Sequence, residues 1–409
     1  MTGSGSSVFS PGEPRVTGSD RHLLCRLLDS LGKPPVRVAL WSGEVVCDSP
    51  DAVATVRIRD RRTLWGLLVN PNLVFGDAYA AGRIEVDGDL LTCLEAIFEV
   101  MPLQTDSAWY TRLIHRVAHH RANTLTGSRA NIHQHYYIGN DFYRLWLDDE
   151  LAYTCAYYTS PDETLENAQL EKMRHVCRKL QLKPGERVVE AGCGWGALAR
   201  YMARHYGVKV RAYNISEQQI RYARERAKAE GLEDSVEYIE DDYRNITGHY
   251  DAFVSIGMLE HVGSENYQTL GRVVDGCLTR NGRGLIHSVG RSRPEPMGDW
   301  IENRIFPGSY VPALSEMLQV VEPWGFSVLD VENLRLHYAL TLLHWLERFD
   351  AARDQISGMY DDRFIRAWRL YLAGCSASFA TGWLQLFQVL FAHPRNNNLP
   401  WTRAHLYMT

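Results

Sequence analysis

Residues Glu190–Ala199 read EAGCGWGALA, and this stretch decides the fold. An apolar run, RVV, ends in an acid, and Gly192, Gly194 and Gly196 alternate before a helix-forming segment, ALARYMARHYG. Glycines spaced this way let the chain turn sharply, and their missing β-carbons let a ligand approach the backbone. The pattern predicts strand, tight turn, helix. The spacing is G-x-G-x-G, not the dinucleotide G-x-G-x-x-G, and the acid precedes the glycines. A structural turn and a ligand cradle both remain open from this stretch alone.

Working outward, the chain alternates. After Lys183–Pro184–Gly185 come the strand of the motif and its helix. Then follow VKVRAYNIS, the helix EQQIRYARERAKAEG, and the apolar runs VEYIEDDY, YDAFVSIGM and RGLIHSVG. Strand–helix alternation of this kind means a parallel sheet with right-handed crossovers. The second strand ends in Asn214 and Ser216, where a dinucleotide fold needs a ribose-binding acid, so an NAD site loses support. From about Pro294 to Ala380 the sequence reads as mostly helical and aromatic-rich, a substrate-covering insertion.

Four segments are expected: a tail over 1–20, a small α+β domain over 21–105, a basic amphipathic linker over 106–134 and a catalytic domain over 135–409. In the second, VRVALWSG and ATVRIRD alternate as half-exposed strands do. The following RTLWGLLVNPNLVFGDAYAAGRIEVDGDLLTCLEAIFEVM reads as helix, turn, short strands and a closing helix. Its acids, Asp77, Glu85, Asp87 and Asp89, read as turn and cap residues. Trp109 to His135 carries four arginines, five histidines and no acid. Trp109, Tyr110, Leu113, Ile114 and Val117 form an apolar stripe beside a basic face. A packed linker helix and an interfacial helix meeting anionic headgroups both fit it.

The 409 residues favour two domains, with 45% apolar and 23% charged residues as in ordinary globular chains. The net charge of -5 argues against a nucleic-acid partner. The first twenty residues lack the pattern of a signal peptide, and eight cysteines without a CxxC pair suit a reducing cytoplasm. Leu370–Phe391, LYLAGCSASFATGWLQLFQVLF, is uncharged and long enough to span a bilayer. Its polar residues and Gly382 instead divide it into a helix end and a strand. His133 and His135 lack the partners of a zinc site, so no metal is expected. Cys193 reads as a small filler of the glycine turn.

SIGMLEHVGSENY, Ser255–Tyr267, sets Glu260 and His261 just beyond a buried strand, between Gly257 and Gly263. A solvated acidic helix start and a catalytic edge both fit locally.

The glycine motif resembles the first motif of class I S-adenosylmethionine-dependent methyltransferases. The stretches HYYIGNDFYRLWLD, LAYTCAYY, TLENAQLEKM, GCGWGALA, NISEQQ, DDYRN, SIGMLEHVGSENY, IHSVG, WIENRIFPG, TLLHWLERF and RFIRAWRLYLAGC together resemble the cyclopropane-fatty-acyl-phospholipid synthases and mycolic acid cyclopropane synthases. The resemblance runs from about His135 to Met408. It implies an α/β, Rossmann-like class I methyltransferase catalytic domain with a helical lipid-covering insertion, plus a small α+β N-terminal domain.

The implied reaction transfers a methylene from S-adenosylmethionine to a cis double bond of an unsaturated phospholipid acyl chain. The resemblance implies that Tyr153, Thr154, Glu190, Gly192, Gly194, Gly196, Asn214, Ile215, Ser216, Gln219, Asp242 and Tyr243 bind this cofactor. Where the family commonly has Asp and Thr, this chain has Glu190 and Asn214. It further implies a bound bicarbonate as base, held by Cys155, Glu260, His287, Val289 and Tyr338, with Val289 where isoleucine is common. An alkene is a poor nucleophile, so the site must align the methyl group, exclude water and stabilise positive charge with π faces. Tyr157 or Tyr158 could face that charge, and Trp300, Phe306 and Trp345 are candidates for an acyl tunnel or ordinary core. By the same resemblance the protein is a cytoplasmic enzyme on the inner face of the membrane, and family analogy gives a homodimer. A methyl- or methylene-branching enzyme is the alternative, and a lipid-binding protein with a dead methyltransferase fold is the competing class.

Overall fold

The computed structural model describes residues 15–102 and 138–407. The expected linker over 106–134, with Trp109–Arg129, His133, His135, Tyr136 and Tyr137, lies outside the described residues. The chain groups into two compact units that interleave in sequence. One gathers the N-terminal residues with 298–305 and 345–383, and the other holds most of the remainder.

The first unit contains a four-stranded sheet of order β2-β1-β3-β4. Its strands are β1 (Arg37–Ala39), β2 (Val45–Cys47), β3 (Thr55–Ile58) and β4 (Ile84–Asp87). The stretch after Arg61 holds two helices, Arg61–Val69 and Pro71–Ala80, where a turn and a further strand were expected. Asn70 explains the difference. It ends the first helix, and its side chain accepts from Leu73 N–H at 3.0 Å to cap the second. Pro71 at the first helical position loses no hydrogen bond there. Asp89 caps Leu90–Val100 through Thr92 N–H at 2.8 Å. Asp77 instead pairs with Arg304 at 2.8 Å. Helix Asp362–Ala380 completes the unit, with Arg366 donating to the Tyr79 and Ile84 carbonyls at 2.7 and 2.9 Å.

The second unit is built on a seven-stranded sheet of order β10-β11-β9-β8-β5-β6-β7. These strands are β5 (Arg187–Ala191), β6 (Lys209–Asn214), β7 (Val236–Glu240), β8 (Tyr250–Ile256), β9 (Leu278–Gly290), β10 (Ser327–Asn333) and β11 (Gln385–Ala392). β5 to β9 pair in parallel, and β11 runs antiparallel to both β9 and β10. The parallel strands are apolar on both faces because both are covered. Val188 joins a core with Met173, Val176 and Leu180 of helix Leu165–Leu180, while its neighbour Val189 joins Tyr250, Phe253 and Leu270 opposite.

β10 was not foreseen, because SVLDVEN carries two acids. The fold satisfies them: Lys179 Nζ lies 2.6 Å from Glu332 and 3.5 Å from Asp330, and His175 Nε2 lies 2.8 Å from Glu332. The uncharged 370–391 stretch divides as expected into helix Asp362–Ala380 and strand β11, with Gly382 at φ +85° between them. Among the described residues no helix is long and apolar enough to cross a membrane.

Strand order reverses between β5 and β8, which leads their carboxyl ends into one crevice.

Candidate active site

The glycine turn forms the floor of that crevice. Gly192, Gly194 and Gly196 all have positive φ, at +83°, +53° and +82°. A β-carbon on Gly192 would stand 2.9 Å from Met258 Cβ, and one on Gly196 2.5 Å from the Tyr238 hydroxyl. Only glycine combines this conformation with such close neighbours.

A cavity opens above the turn. Its walls include ten of the twelve residues expected to hold a cofactor: Tyr153, Thr154, Glu190, Gly192, Gly194, Asn214, Ile215, Gln219, Asp242 and Tyr243. Gly196 and Ser216 do not line it. Gly196 shapes the turn, and Ser216 N–H bonds Asn214 Oδ1 at 3.2 Å. Asn214 also donates to the Gly194 carbonyl at 3.3 Å and to Gln219 at 2.8 Å. The neutral end of β6 thus braces the glycine turn. Acids (Glu190, Asp241, Asp242) and rings (Tyr153, Trp195, Tyr213, Tyr243) together suit an organic cation.

Lys172 and Leu151 of the wall, and Gln169 and Asp148 behind it, escaped the sequence reading. Gln169 Nε2 donates to the Ala152 and Thr154 carbonyls at 3.1 and 3.0 Å, fixing the Tyr153–Cys155 segment. Lys172, one helical turn further on, donates to Thr154 Oγ1 at 2.8 Å. Burial brings its ammonium down to about 8, and burial raises the Glu190 carboxyl to about 8. Asp148 is buried too, its carboxyl raised by burial, and it accepts from Ala152 N–H at 2.8 Å. Leu151 beside it holds a left-handed φ of +55°. The available signal was Gln169 and Lys172 at i, i+3 on one helix face among apolar residues.

Glu260 lies in the short helical turn Leu259–His261 after β8, whose end is set by Gly257 at φ +67°. Gly257 N–H donates to the His287 carbonyl at 2.9 Å, joining this edge to β9. Glu260 is buried, and Oε1 accepts from Val289 N–H at 2.6 Å while Oε2 has no hydrogen-bond partner. Burial pushes this carboxyl up to about 7. His287 is buried with Nδ1 3.0 Å from Gln388 Nε2, and its Nε2 also lacks a partner. Burial brings the imidazole down to about 3, so the ring is neutral near pH 7. Two orphaned polar atoms, one acceptor and one imidazole nitrogen, stand on adjoining elements. Buried groups of this kind are rare unless something binds them.

Cys155 is fully buried, and burial holds its thiol protonated, which leaves main-chain contact as its available chemistry. Tyr338 follows Leu334 in helix Arg335–Ala351, bonding the Leu334 carbonyl at 3.2 Å. Val289 N–H is taken by Glu260, so Val289 orients the carboxylate. His261 lines the cavity beside Phe306, and burial lowers its imidazole to about 4. Tyr157 stacks between His175 and His337 at 4.2 and 4.8 Å, and Tyr158 on His344 at 5.7 Å. Trp300, against Gly76, and Trp345 are buried residues of the first unit. All eight cysteines are free thiols, and no metal-binding cluster occurs among the described residues.

Residues 123–389 match a family model described as mycolic acid cyclopropane synthetase, and 23–107 match one described as a domain of unknown function. A probable fatty acid methyltransferase of Pseudomonas putida is 37% identical over 385 residues, 91% of this chain and 96% of that protein. The cyclopropane-fatty-acyl-phospholipid synthase of Escherichia coli K12 is 42% identical over 267 residues, 65% of this chain and 68% of that one. Among solved structures, mycolic acid cyclopropane synthase CmaA1 complexed with SAH and CTAB is 29% identical with a TM-score of 0.61. That likeness covers 64% of this chain and 97% of the other.

Proposed function

The chain belongs to the mycolic acid cyclopropane synthetase family, and from that premise we propose that it makes cyclopropane fatty acids on membrane phospholipid. Its reaction class is S-adenosylmethionine-dependent methyl transfer. The substrate in this reading is the cis double bond of an unsaturated phospholipid acyl chain, and the base is a bound bicarbonate. Unpartnered Glu260 Oε2 and His287 Nε2 carry the proposal.

When bound, the cofactor supplies the methyl group and the bicarbonate takes a proton from it. The chain's own residues prepare both events. Tyr153, Thr154, Asn214, Gln219, Asp242 and Tyr243 hold the cofactor against the glycine turn, so that its methyl group meets the alkene in line. Glu260 Oε2 accepts the anion's O–H, which keeps its other oxygens basic, and His287 donates a hydrogen bond. Cys155 contributes main-chain contact, Val289 fixes the carboxylate and Tyr338 completes the site. Burial of Glu260 and His287 keeps water from positive charge on the lipid, which water would quench to an alcohol.

In this reading the protein meets the membrane surface peripherally, through the N-terminal domain and the basic segment Trp109–Arg129 that lies outside the described residues. Charge reversal at Arg112, Arg116 and Arg121 should abolish binding to anionic vesicles; unchanged binding removes that segment from the account. The second reading, methyl or methylene branching, draws support from the Pseudomonas relative, named a probable fatty acid methyltransferase.

The test of the base site is turnover of S-adenosylmethionine on monounsaturated phospholipid vesicles in CO2-free buffer, with and without added bicarbonate. The proposal expects bicarbonate to restore activity in the wild type and not in Glu260→Gln. Full activity without bicarbonate would place the base elsewhere.

A further inference from the structure

Three neighbouring strands each place one polar side chain in a single row. His287 on β9 sits opposite Gln388 on β11, and Gln388 sits opposite Glu332 on β10. Directly opposed residues of antiparallel strands share one face of the sheet. Gln388 is fully buried, its Nε2 is 3.0 Å from His287 Nδ1, and its Oε1 has no partner. Glu332 closes the row against His175 and Lys179 of helix Leu165–Leu180. An apolar residue would fill the middle position without burying an unpartnered carbonyl. The polar side chain therefore needs a reason.

The charged and titratable groups around the ring supply one. Lys172, His175 and Lys179 act on His287 from the helix and Glu332 from β10. Burial and two ammonium groups oppose a second proton on the imidazole, so the neutral ring carries one N–H. An amide nitrogen can only donate, and here it faces Nδ1, so the ring proton belongs on Nε2. We infer that Gln388 is a positioning residue that fixes His287 as the Nε2–H tautomer and so makes Nε2 a donor toward an anion beside Glu260. This rests on the base-site reading given above, and it adds a residue that does not line the cofactor cavity. The opposite tautomer would turn a nitrogen lone pair toward the anion and repel it.

The experiment is 15N NMR of the full-length protein labelled at histidine, which reports the protonated ring nitrogen without any turnover. The wild type should show His287 protonated at Nε2 and bare at Nδ1. Gln388→Glu presents a carboxylate that takes its hydrogen bond from Nδ1–H, so the proton should move to Nδ1. Its kcat at pH 8 should fall about tenfold or more, with KM for S-adenosylmethionine unchanged. Its activity relative to the wild type at the same pH should recover toward pH 6, as a further proton on the pair restores Nε2–H. A purely structural glutamine would give no recovery on the acid side. A wild-type spectrum with the proton on Nδ1 overturns the inference even if bicarbonate dependence holds. An Nε2–H tautomer in an enzyme indifferent to bicarbonate supports the inference and defeats the base-site reading instead.

Discussion

Replacing Glu260 by glutamine should make the protein more stable and inactive at the same time. The carboxyl is buried, and burial raises it from 4.5 to about 7. At 1.36 kcal/mol per pKa unit that rise corresponds to about 3 kcal/mol. Below pH 4.5 the group is protonated in both the folded and the unfolded chain, so it brings no penalty. Above pH 7 it is ionised in both, and the whole penalty falls on the folded state. Wild-type stability should therefore drop, relative to the variant, between pH 4.5 and 7. Glutamine keeps the acceptor for Val289 N–H and replaces Oε2 by a neutral group, much as the protonated acid does. The assay is urea unfolding of both proteins at pH 5 and pH 8. With a slope of about 1–3 kcal/mol per molar urea, the variant's midpoint should exceed the wild type's by about 1 M or more at pH 8. At pH 5 the gap should shrink to about a quarter of that. Other buried acids, Glu190 and Asp148 among them, are common to both proteins and cancel. A gap that stays the same at both pH values would refute the claim that burial in the folded chain raises the Glu260 carboxyl.

Other outcomes follow from particular contacts. Gly192→Ala adds a β-carbon 2.9 Å from Met258 Cβ at a left-handed φ; calorimetric titration with S-adenosylhomocysteine should show affinity weakened about tenfold or more, or about 1–2 kcal/mol. Arg283→Ala removes a buried guanidinium that pairs with half-buried Glu186 at 2.7 Å and donates to the Gln181 carbonyl. Urea unfolding should show a loss of about 1–3 kcal/mol. Tyr338→Phe should lower kcat by about 10- to 100-fold with cofactor affinity intact, because Tyr338 does not line the cofactor cavity.

The sequence made the methyltransferase core legible because that core obeys local rules. Gly192, Gly194 and Gly196 announce a turn that no other residue can make, and the apolar runs at Val188, Val210 and Val254 announce buried parallel strands. Gly382 gave away the break that turns a membrane-length stretch into a helix and a strand. What stayed hidden depends on partners distant in sequence. Asp330 and Glu332 disguised β10 because the lysine that neutralises them lies about 150 residues earlier. Lys172 and Gln169 acquire their role only through the Thr154 segment, which lies across them and is distant in sequence. Gln388 looked like a polar interruption of a strand, and only the register of β9 and β11 sets it on His287. The N-terminal unit's claim on 345–383 likewise follows from tertiary packing and from no local signal.

The most direct measurement of the central claim is mass spectrometry of phospholipid fatty acids after incubation of the purified protein with monounsaturated vesicles, S-adenosylmethionine and bicarbonate. The account predicts a gain of one CH2 with the double bond gone on chemical derivatisation. The same gain with an alkene or a saturated methyl branch would contradict ring closure, and no gain with cofactor bound but unconsumed would contradict the enzyme acting on phospholipid at all.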